Sequence, residues 1–308
     1  QVATDAGATV IARNDATHRG KGYALDFGIR FLEKTPPDVV VIVDADCRVA
    51  DGSIGELVHC CVTMRRPAQA LYLMNAPAGA GTKLQIAAFA WLLRNQVRPL
   101  GLYALGLPCQ LMGSGMAFPW KTIHGAPLAS GHLVEDLKLG LDLARDGHAP
   151  VFCPQALVTS CFPSSAAGMA AQRTRWEHGH LGVILREAPR LMLRGIGSLS
   201  AGLVGLVLDL SIPPLALLAF LMIVSLFCAL LLLAVGGSWQ PLAAVSCDAL
   251  ALFLSVGIAW WRFGRSHVLG NPWGIVSYLL WKLPLYAKFV ISRQSNWVRS
   301  ERGDERRQ

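Results

Sequence analysis

Charged side chains are scarce in this chain. They make up 16% of its 308 residues, whereas a soluble globular domain usually carries about 25%. Hydrophobic residues reach 53%, and the mean hydropathy is +0.41. This much apolar surface excludes a disordered chain, because it can be buried. The same composition argues against an ordinary cytosolic enzyme and predicts membrane segments.

Several other patterns are absent. No CxxC pair occurs among the eight cysteines, which favours reduced, buried thiols over a metal centre or a disulfide framework. No run of Lys and Arg is interleaved with aromatic residues, so the net charge of +8 does not indicate nucleic-acid binding. No basic segment followed by a short apolar core marks a signal peptide.

The apolar residues are concentrated in the C-terminal part, where residues 195–261 hold two charged side chains. The turn at Gly236–Pro241 divides this block into two stretches, each near the 20 residues that a spanning helix needs. A third apolar stretch contains Lys282 and Lys288, which are costly at mid-membrane. The predicted segments are two spans at 212–235 and 242–261 and an interfacial or re-entrant helix at 274–291.

Basic residues flank the membrane block on both sides, and the turn inside it carries no charge. The flanking residues are Arg186, Arg190, Arg194, Arg262 and Arg265. By the positive-inside rule, residues 1–194 and the basic C-terminal tail lie in the cytoplasm. We therefore expect a multi-pass protein of the inner membrane, with a cytoplasmic domain over 1–194 and a membrane domain over 195–308.

Residues 1–194 alternate short β-branched runs with helical patterns. This alternation predicts an α/β domain with a mostly parallel sheet. The near-continuous apolar run at 38–43 is typical of a buried parallel strand. The other predicted strands are 9–11, 70–74 and 116–118, and the predicted helices are 20–34, 51–64, 82–105 and 133–146.

Asp44 and Asp46 directly follow the run at 38–43. Ligands of open α/β sheets bind beyond the carboxyl ends of the strands. Two carboxylates one residue apart can share a Mg²⁺ or Mn²⁺ that bridges to phosphate oxygens. The alternative is a pair of solvated loop acids.

Three further groups of residues carry candidate chemistry. Glu135–Asp136 begin a predicted helix, either as plain N-terminal charge or as a general base. In Gln172–Trp176 (QRTRW), Arg can pair with phosphate and Trp can support a sugar ring, unless the segment is a juxtamembrane anchor. Gly20 and Lys21 precede a helix, where glycine and lysine can cradle phosphate.

In this order, the four groups resemble the motifs of glycosyltransferase family 2, in the membrane-embedded branch that contains cellulose, hyaluronan and poly-N-acetylglucosamine synthases. The family pattern is GK-x-x-AL, DxD, [TE]D and Q-x-x-RW, followed by membrane helices. It is matched here by Gly20–Leu25, Asp44–Asp46, Glu135–Asp136 and Gln172–Trp176.

The resemblance implies a GT-A-like fold and inverting transfer from a nucleotide-diphospho-sugar, with a UDP-sugar expected, to a growing polysaccharide. The alternatives are single-sugar transfer to a lipid acceptor, and an inactive fragment or membrane scaffold. Implied partners are the nucleotide-sugar donor, a saccharide or lipid acceptor, membrane lipids, and export or polymerisation subunits.

The resemblance also implies roles for individual residues. Asp136 would be the general base. The donor would be bound by Lys21, Asp44, Asp46, Gln172 and Arg175, and Asp44 and Asp46 would also hold Mg²⁺ or Mn²⁺. The acceptor would lie against Trp176, Glu135, Gly113 and Ser114.

Family members begin the domain with a strand and a nucleotide-binding loop, followed by a second strand, before the GK segment. Few residues precede Gly20 here. The resemblance therefore implies that the GT-A-like domain in this sequence is incomplete at its N-terminus.

Overall fold

The computed structural model of the chain describes residues 1–77, 79–163, 166–265 and 272–292. The strands are β1 Val39–Ile42, β2 Arg48–Val49, β3 Ala68–Asn75, β4 Met116–Pro119 and β5 Val151–Cys161. The α-helices are α1 Val2–Asp5, α2 Lys21–Leu32, α3 Ser53–Met64, α4 Thr82–Leu92, α5 Arg98–Ala104, α6 Trp120–His124, α7 Glu135–Arg145, α8 Ala166–Gly197, α9 Ala201–Ser211, α10 Leu215–Ala234, α11 Gln240–Phe263 and α12 Pro272–Ile291. A π-helix, Leu93–Val97, joins α4 to α5. The predicted basic tail after α12 lies outside the described residues from 293 onwards.

The strands form one five-stranded sheet in the order β1-β4-β3-β5-β2. The predicted α/β class is confirmed, but among the described residues the sheet is mixed rather than mostly parallel. β3 and β5 are parallel, β2 is antiparallel to β5, and β4 is antiparallel to both β1 and β3. The Gly115 amide donates to the Ile42 carbonyl at 3.0 Å, so the chain enters β4 at the edge where β1 ends and runs antiparallel to β1 from there.

Most predicted elements of the α/β part are confirmed. The strands at 38–43, 70–74 and 116–118 correspond to β1, β3 and β4, and the long helical pattern at 82–105 is α4, the π-helix and α5 in succession. The strand predicted at 9–11 is wrong, because that segment is irregular and mostly exposed, with no ladder partner among the described residues. β5 was not predicted. Pro154 interrupts its pattern, and its pairing with β3 contains a register shift.

Helices cover both faces of the sheet. On one face, the fully buried Phe118 of β4 packs in a cluster with Ile29 of α2 and Leu139 of α7. On the other, Leu57 of α3 packs in a cluster with Val158 of β5 and with residues of α4. Burying two layers of aliphatic side chains on one sheet is the packing expected of an α/β domain.

The long helix α8 carries the Gln172–Trp176 segment. The short helix α9 follows the predicted domain boundary at residue 194, yet it packs back on α7 and α8. Leu206 and Leu210 of α9 are completely buried in a cluster with Leu137 and Val183. The α/β part is therefore extended by α8 and α9 towards the apolar helices.

Three of the described helices, α10, α11 and α12, are long and apolar enough to cross a membrane. α10 and α11 lie where the two spans were predicted, and most of their side chains are exposed in the isolated chain. α12 is continuous over the stretch predicted as interfacial or re-entrant, and that placement stays a prediction.

α12 is fixed to α8 by buried polar contacts. Lys282 of α12 forms an ion pair with Glu177 of α8. The Arg173 guanidinium donates to the Tyr278 hydroxyl at 2.8 Å and lies over its ring and those of Phe162 and Trp281. These contacts join the apolar helices to the helix that carries the QRTRW segment.

Candidate active site

Lys21, Asp44 and the Gly113–Ser114 loop meet at the carboxyl end of β1. Lys21 forms an ion pair with Asp44, and its ammonium also donates to the Gly113 carbonyl at 2.6 Å. The Asp44 amide donates to the Ser114 hydroxyl at 3.0 Å. The sheet order brings about this meeting, because β4 lies next to β1 and begins where β1 ends.

A candidate metal centre lies at the same edge. Asp44, Asp46 and Cys47 each offer one ligand atom, and these atoms lie within 4.8 Å of one another. Two carboxylates that are not fully buried suit a hard divalent cation such as Mg²⁺ or Mn²⁺. The donor set therefore fits the predicted cation. Cys47 was not predicted as a member of this group, although its position next to Asp46 was a signal for it.

Asp136 is held against the same loop. Gly113 has a φ of +93°, and a Cβ added there would lie 3.1 Å from Oδ2 of Asp136. Only glycine combines this backbone conformation with so close an approach. The base predicted from the sequence therefore lies next to the loop that receives Lys21 and Asp44.

The two acids at the start of α7 have unusual electrostatics. Burial raises the pKa of Asp136 above its ordinary value, and the nearby Lys21 ammonium opposes that shift. Burial also raises the pKa of Glu135 to about 7, with the negative charge of Asp136 adding to the effect. A carboxyl with a raised pKa holds a proton more tightly, which is the property required of a general base near neutral pH.

Arg175 and Gln172 contribute from α8. The Arg175 guanidinium is close enough to Glu135 to oppose the rise of its pKa. Nε of Arg175 and Oε1 of Gln172 are buried and have no hydrogen-bond partner among the described residues. A buried polar atom without a partner is costly, so both atoms are suited to contacting a bound polar ligand.

Trp176 lies beside Trp91, with ring centroids 5.0 Å apart and planes tilted by 37°. The Trp91 indole N–H donates to the Tyr72 carbonyl at 3.1 Å, which ties this aromatic pair to β3. Flat apolar faces of this kind can support a sugar ring. Trp91 was not predicted as a site residue, because a tryptophan in a long apolar helix has no local signal that separates it from the core.

Several of the predicted site residues come together in one region. An ion pair and hydrogen bonds join Lys21, Asp44, Gly113 and Ser114, and Asp136 lies close to Gly113. Glu135 is linked electrostatically to Arg175, and Trp176 pairs with Trp91. For Gln172 the structure shows a buried Oε1 atom but no hydrogen bond to the other site residues.

Comparison with known proteins decides the family. A model of the family described as "Glycosyltransferase like family 2" matches residues 1–179, more than half of the chain. The chain belongs to this family. It is a glycosyltransferase with a GT-A-like α/β fold, and it uses a nucleotide-sugar donor. No curated protein matches it.

Among solved structures, this glycosyltransferase is similar to the mannosyltransferase PcManGT from Pyrobaculum calidifontis, whose structure contains GDP-Man and Mn²⁺. The two chains are 16% identical, and the match covers 91% of this chain and 69% of that chain with a TM-score of 0.42.

Proposed function

We propose that this glycosyltransferase transfers a sugar, with inversion, from a nucleotide-diphospho-sugar to an acceptor hydroxyl at the cytoplasmic face of the inner membrane. A UDP-sugar is the proposed donor. The observation that supports this best is the meeting of Lys21, Asp44 and Asp136 around Gly113, because it combines donor-binding charge with a base.

We assign donor binding to a divalent cation and to polar and positively charged side chains. Asp44 and Asp46 would hold Mg²⁺ or Mn²⁺, which stabilises negative charge on the leaving diphosphate when bound. Arg175, with its unpartnered buried Nε, and Gln172 would bind the diphosphate. Lys21 would lie near the nucleotide.

The acceptor end is assigned to Asp136 and Trp176. Asp136 takes the proton of the acceptor hydroxyl while the hydroxyl oxygen attacks the anomeric carbon of the donor. The bond between that carbon and the diphosphate breaks in the same step. A single displacement of this kind inverts the anomeric carbon. Glu135 and the Gly113–Ser114 loop would position the acceptor hydroxyl, and Trp176 would support the acceptor sugar.

The proposed acceptor is a growing polysaccharide, and the paired rings of Trp176 and Trp91 favour a sugar at this position. A second candidate is transfer of a single sugar to a lipid acceptor. It is favoured by an apolar cavity of about 570 Å³ that includes Trp176 in its lining and extends between the apolar helices. Separating polymer from single-sugar lipid by chromatography after incubation with labelled donor discriminates between the two products.

The proposed membrane placement rests on the apolar helices and on the arginines that flank them. Membrane lipids would contact the exposed apolar faces of α10, α11 and α12. Export or polymerisation subunits are proposed as partners for a polymeric product.

The base assignment is tested by Asp136→Asn in the full chain. We expect turnover to fall by about 10²–10⁴-fold, which is the usual contribution of a general base. Binding of UDP with Mn²⁺, measured by calorimetry, should persist. Asp146→Asn, directly after the same helix, is the matched control, because Asp146 is exposed. Retained turnover in Asp136→Asn would show that another group removes the proton.

A further inference from the structure

The apolar cavity lies between the α/β part and the three membrane-type helices. Its walls include Ala219 and Met222 of α10, Leu252 and Val256 of α11, and Leu279 of α12. At about 570 Å³ it falls within the size range of small-molecule sites, roughly 300–1,000 Å³. Aliphatic walls offer no hydrogen bonds to a sugar chain, so they are suited to a hydrocarbon chain.

Most of the polar side chains that line this cavity are engaged within the protein. Arg98 pairs with Asp209, with Nη2 2.8 Å from Oδ1, and the His180 ring contacts the Leu210 carbonyl at 3.1 Å. Arg173 bonds to Tyr278, and Glu177 pairs with Lys282. Arg94 differs from these, since its guanidinium has no hydrogen bond or ion pair among the described residues.

Arg94 is carried by the π-helix Leu93–Val97, a rare element that is frequent at functional sites. Burial lowers its pKa, which means that its positive charge lacks full solvation. A cation in this position is stabilised by a bound anion, and a guanidinium matches the geometry of phosphate. The charge of the cavity is therefore complementary to an anionic head group.

The cavity also extends to the proposed acceptor side of the reaction. Trp176 is part of the same lining. Arg94 is close enough to Asp136 for each charge to influence the other. A head group bound at Arg94 would therefore lie in a cavity that Trp176 also lines, near the charge of the proposed base.

We propose that the cavity binds a lipid-linked saccharide as the acceptor, with its hydrocarbon chain among α10, α11 and α12, its phosphate linkage at Arg94 and its sugar at Trp176. This inference rests on the proposed function. In the step, the sugar hydroxyl gives its proton to Asp136 and its oxygen bonds to the anomeric carbon of the donor. The nucleoside diphosphate leaves with the electron pair of the broken bond.

The test uses the full chain in phosphatidylcholine nanodiscs. The probe is a farnesyl diphosphate that carries one N-acetylglucosamine. Octyl N-acetylglucosaminide has the same sugar without phosphate, and phosphatidylglycerol is an anionic lipid without a sugar. Binding is measured by native mass spectrometry. We expect the probe to bind at least about tenfold more tightly than the octyl glycoside, as one charge-assisted hydrogen bond provides.

Paired variants locate the site. Arg94→Gln should abolish the preference for the phosphate-bearing probe, whereas Arg190→Gln, at an exposed arginine of α8, should leave it unchanged. Ala219→Trp should prevent binding of both the probe and octyl N-acetylglucosaminide, because the indole ring fills the cavity. Leu221→Trp is the control, because Leu221 is an exposed α10 residue outside the lining.

Two results would overturn the inference. One is an unchanged probe preference in Arg94→Gln. The other is equal displacement of the probe by phosphatidylglycerol, which would indicate ordinary lipid contact only. Calorimetry with UDP, with GDP and with Mn²⁺ separates this failure from that of the proposed function. A chain that binds nucleotide but not the probe refutes the lipid-linked acceptor alone, and a chain that binds no nucleotide refutes the proposed function.

Discussion

The ion pair between Lys282 and Glu177 leads to a sharp prediction about what holds α12 on the catalytic part. The Lys282 side chain is 2% exposed and that of Glu177 is 15% exposed, so solvent screens the pair only weakly. Lys282 also lies near the rings of Tyr278 and Trp281, which stabilise a cation. Removing either partner leaves a buried charge without compensation.

The size of the effect follows from that burial. Breaking a buried pair from one side costs about 3–5 kcal/mol. We therefore expect Lys282→Met or Glu177→Leu alone to lower the free energy of unfolding by roughly that amount. Replacing both with apolar residues removes both charges, which is often neutral. The double variant should thus be more stable than either single variant, and the coupling energy should approach the sum of the two single losses, about 6–10 kcal/mol.

The assay measures unfolding of the detergent-solubilised full chain. The unfolded fraction at each denaturant concentration is detected by its cleavage by a protease. Lys288→Met is the matched control, because Lys288 is an exposed lysine on the same helix. The reasoning is refuted if Lys282→Met is no more harmful than Lys288→Met. It is also refuted if the double variant loses the sum of the two single losses, since the charges would then be independent.

Three further predictions concern the active site. Gly113→Ala should reduce kcat roughly 10- to 100-fold with little change in donor Kd, because the new Cβ displaces Asp136 in a site that needs close alignment. The logarithm of kcat/KM should fall as pH drops through the titration of the acid pair, since the base must be deprotonated. Glu135→Gln should move this acidic fall in rate to lower pH, because it removes a negative charge next to Asp136. EDTA should stop turnover, and Asp46→Asn should raise the Mn²⁺ concentration for half-maximal rate at least about tenfold, since even outer-shell partners contribute that much.

Controls are available for these variants. Gly28→Ala adds a methyl group where nothing lies within 4 Å, so it should leave kcat unchanged. Asp51→Asn removes an exposed carboxylate after β2 and should leave the Mn²⁺ requirement unchanged. A pH profile that does not move in Glu135→Gln would show that the two acids do not share one titration.

Local sequence determined a large part of this protein. β1 was predictable because its apolar run is nearly uninterrupted, and the acids that follow it could be placed at the end of a strand. The apolar helices α10 and α11 were predictable because length and hydropathy are properties of a continuous segment. The four motif groups carried the family, since each is short and their order is fixed along the chain.

Tertiary structure decided which of these groups touch. Lys21 reaches Gly113 and Glu177 reaches Lys282, whereas Arg94 lines an apolar cavity and has no hydrogen bond or ion pair within the described part of the chain. The direction of β4 and the register shift of β5 were likewise settled by the neighbouring strands. Periodicity reports which face of one element is apolar. It holds no information on pairings between residues about a hundred positions apart, and those pairings exist only once the sheet order and the helix packing are formed.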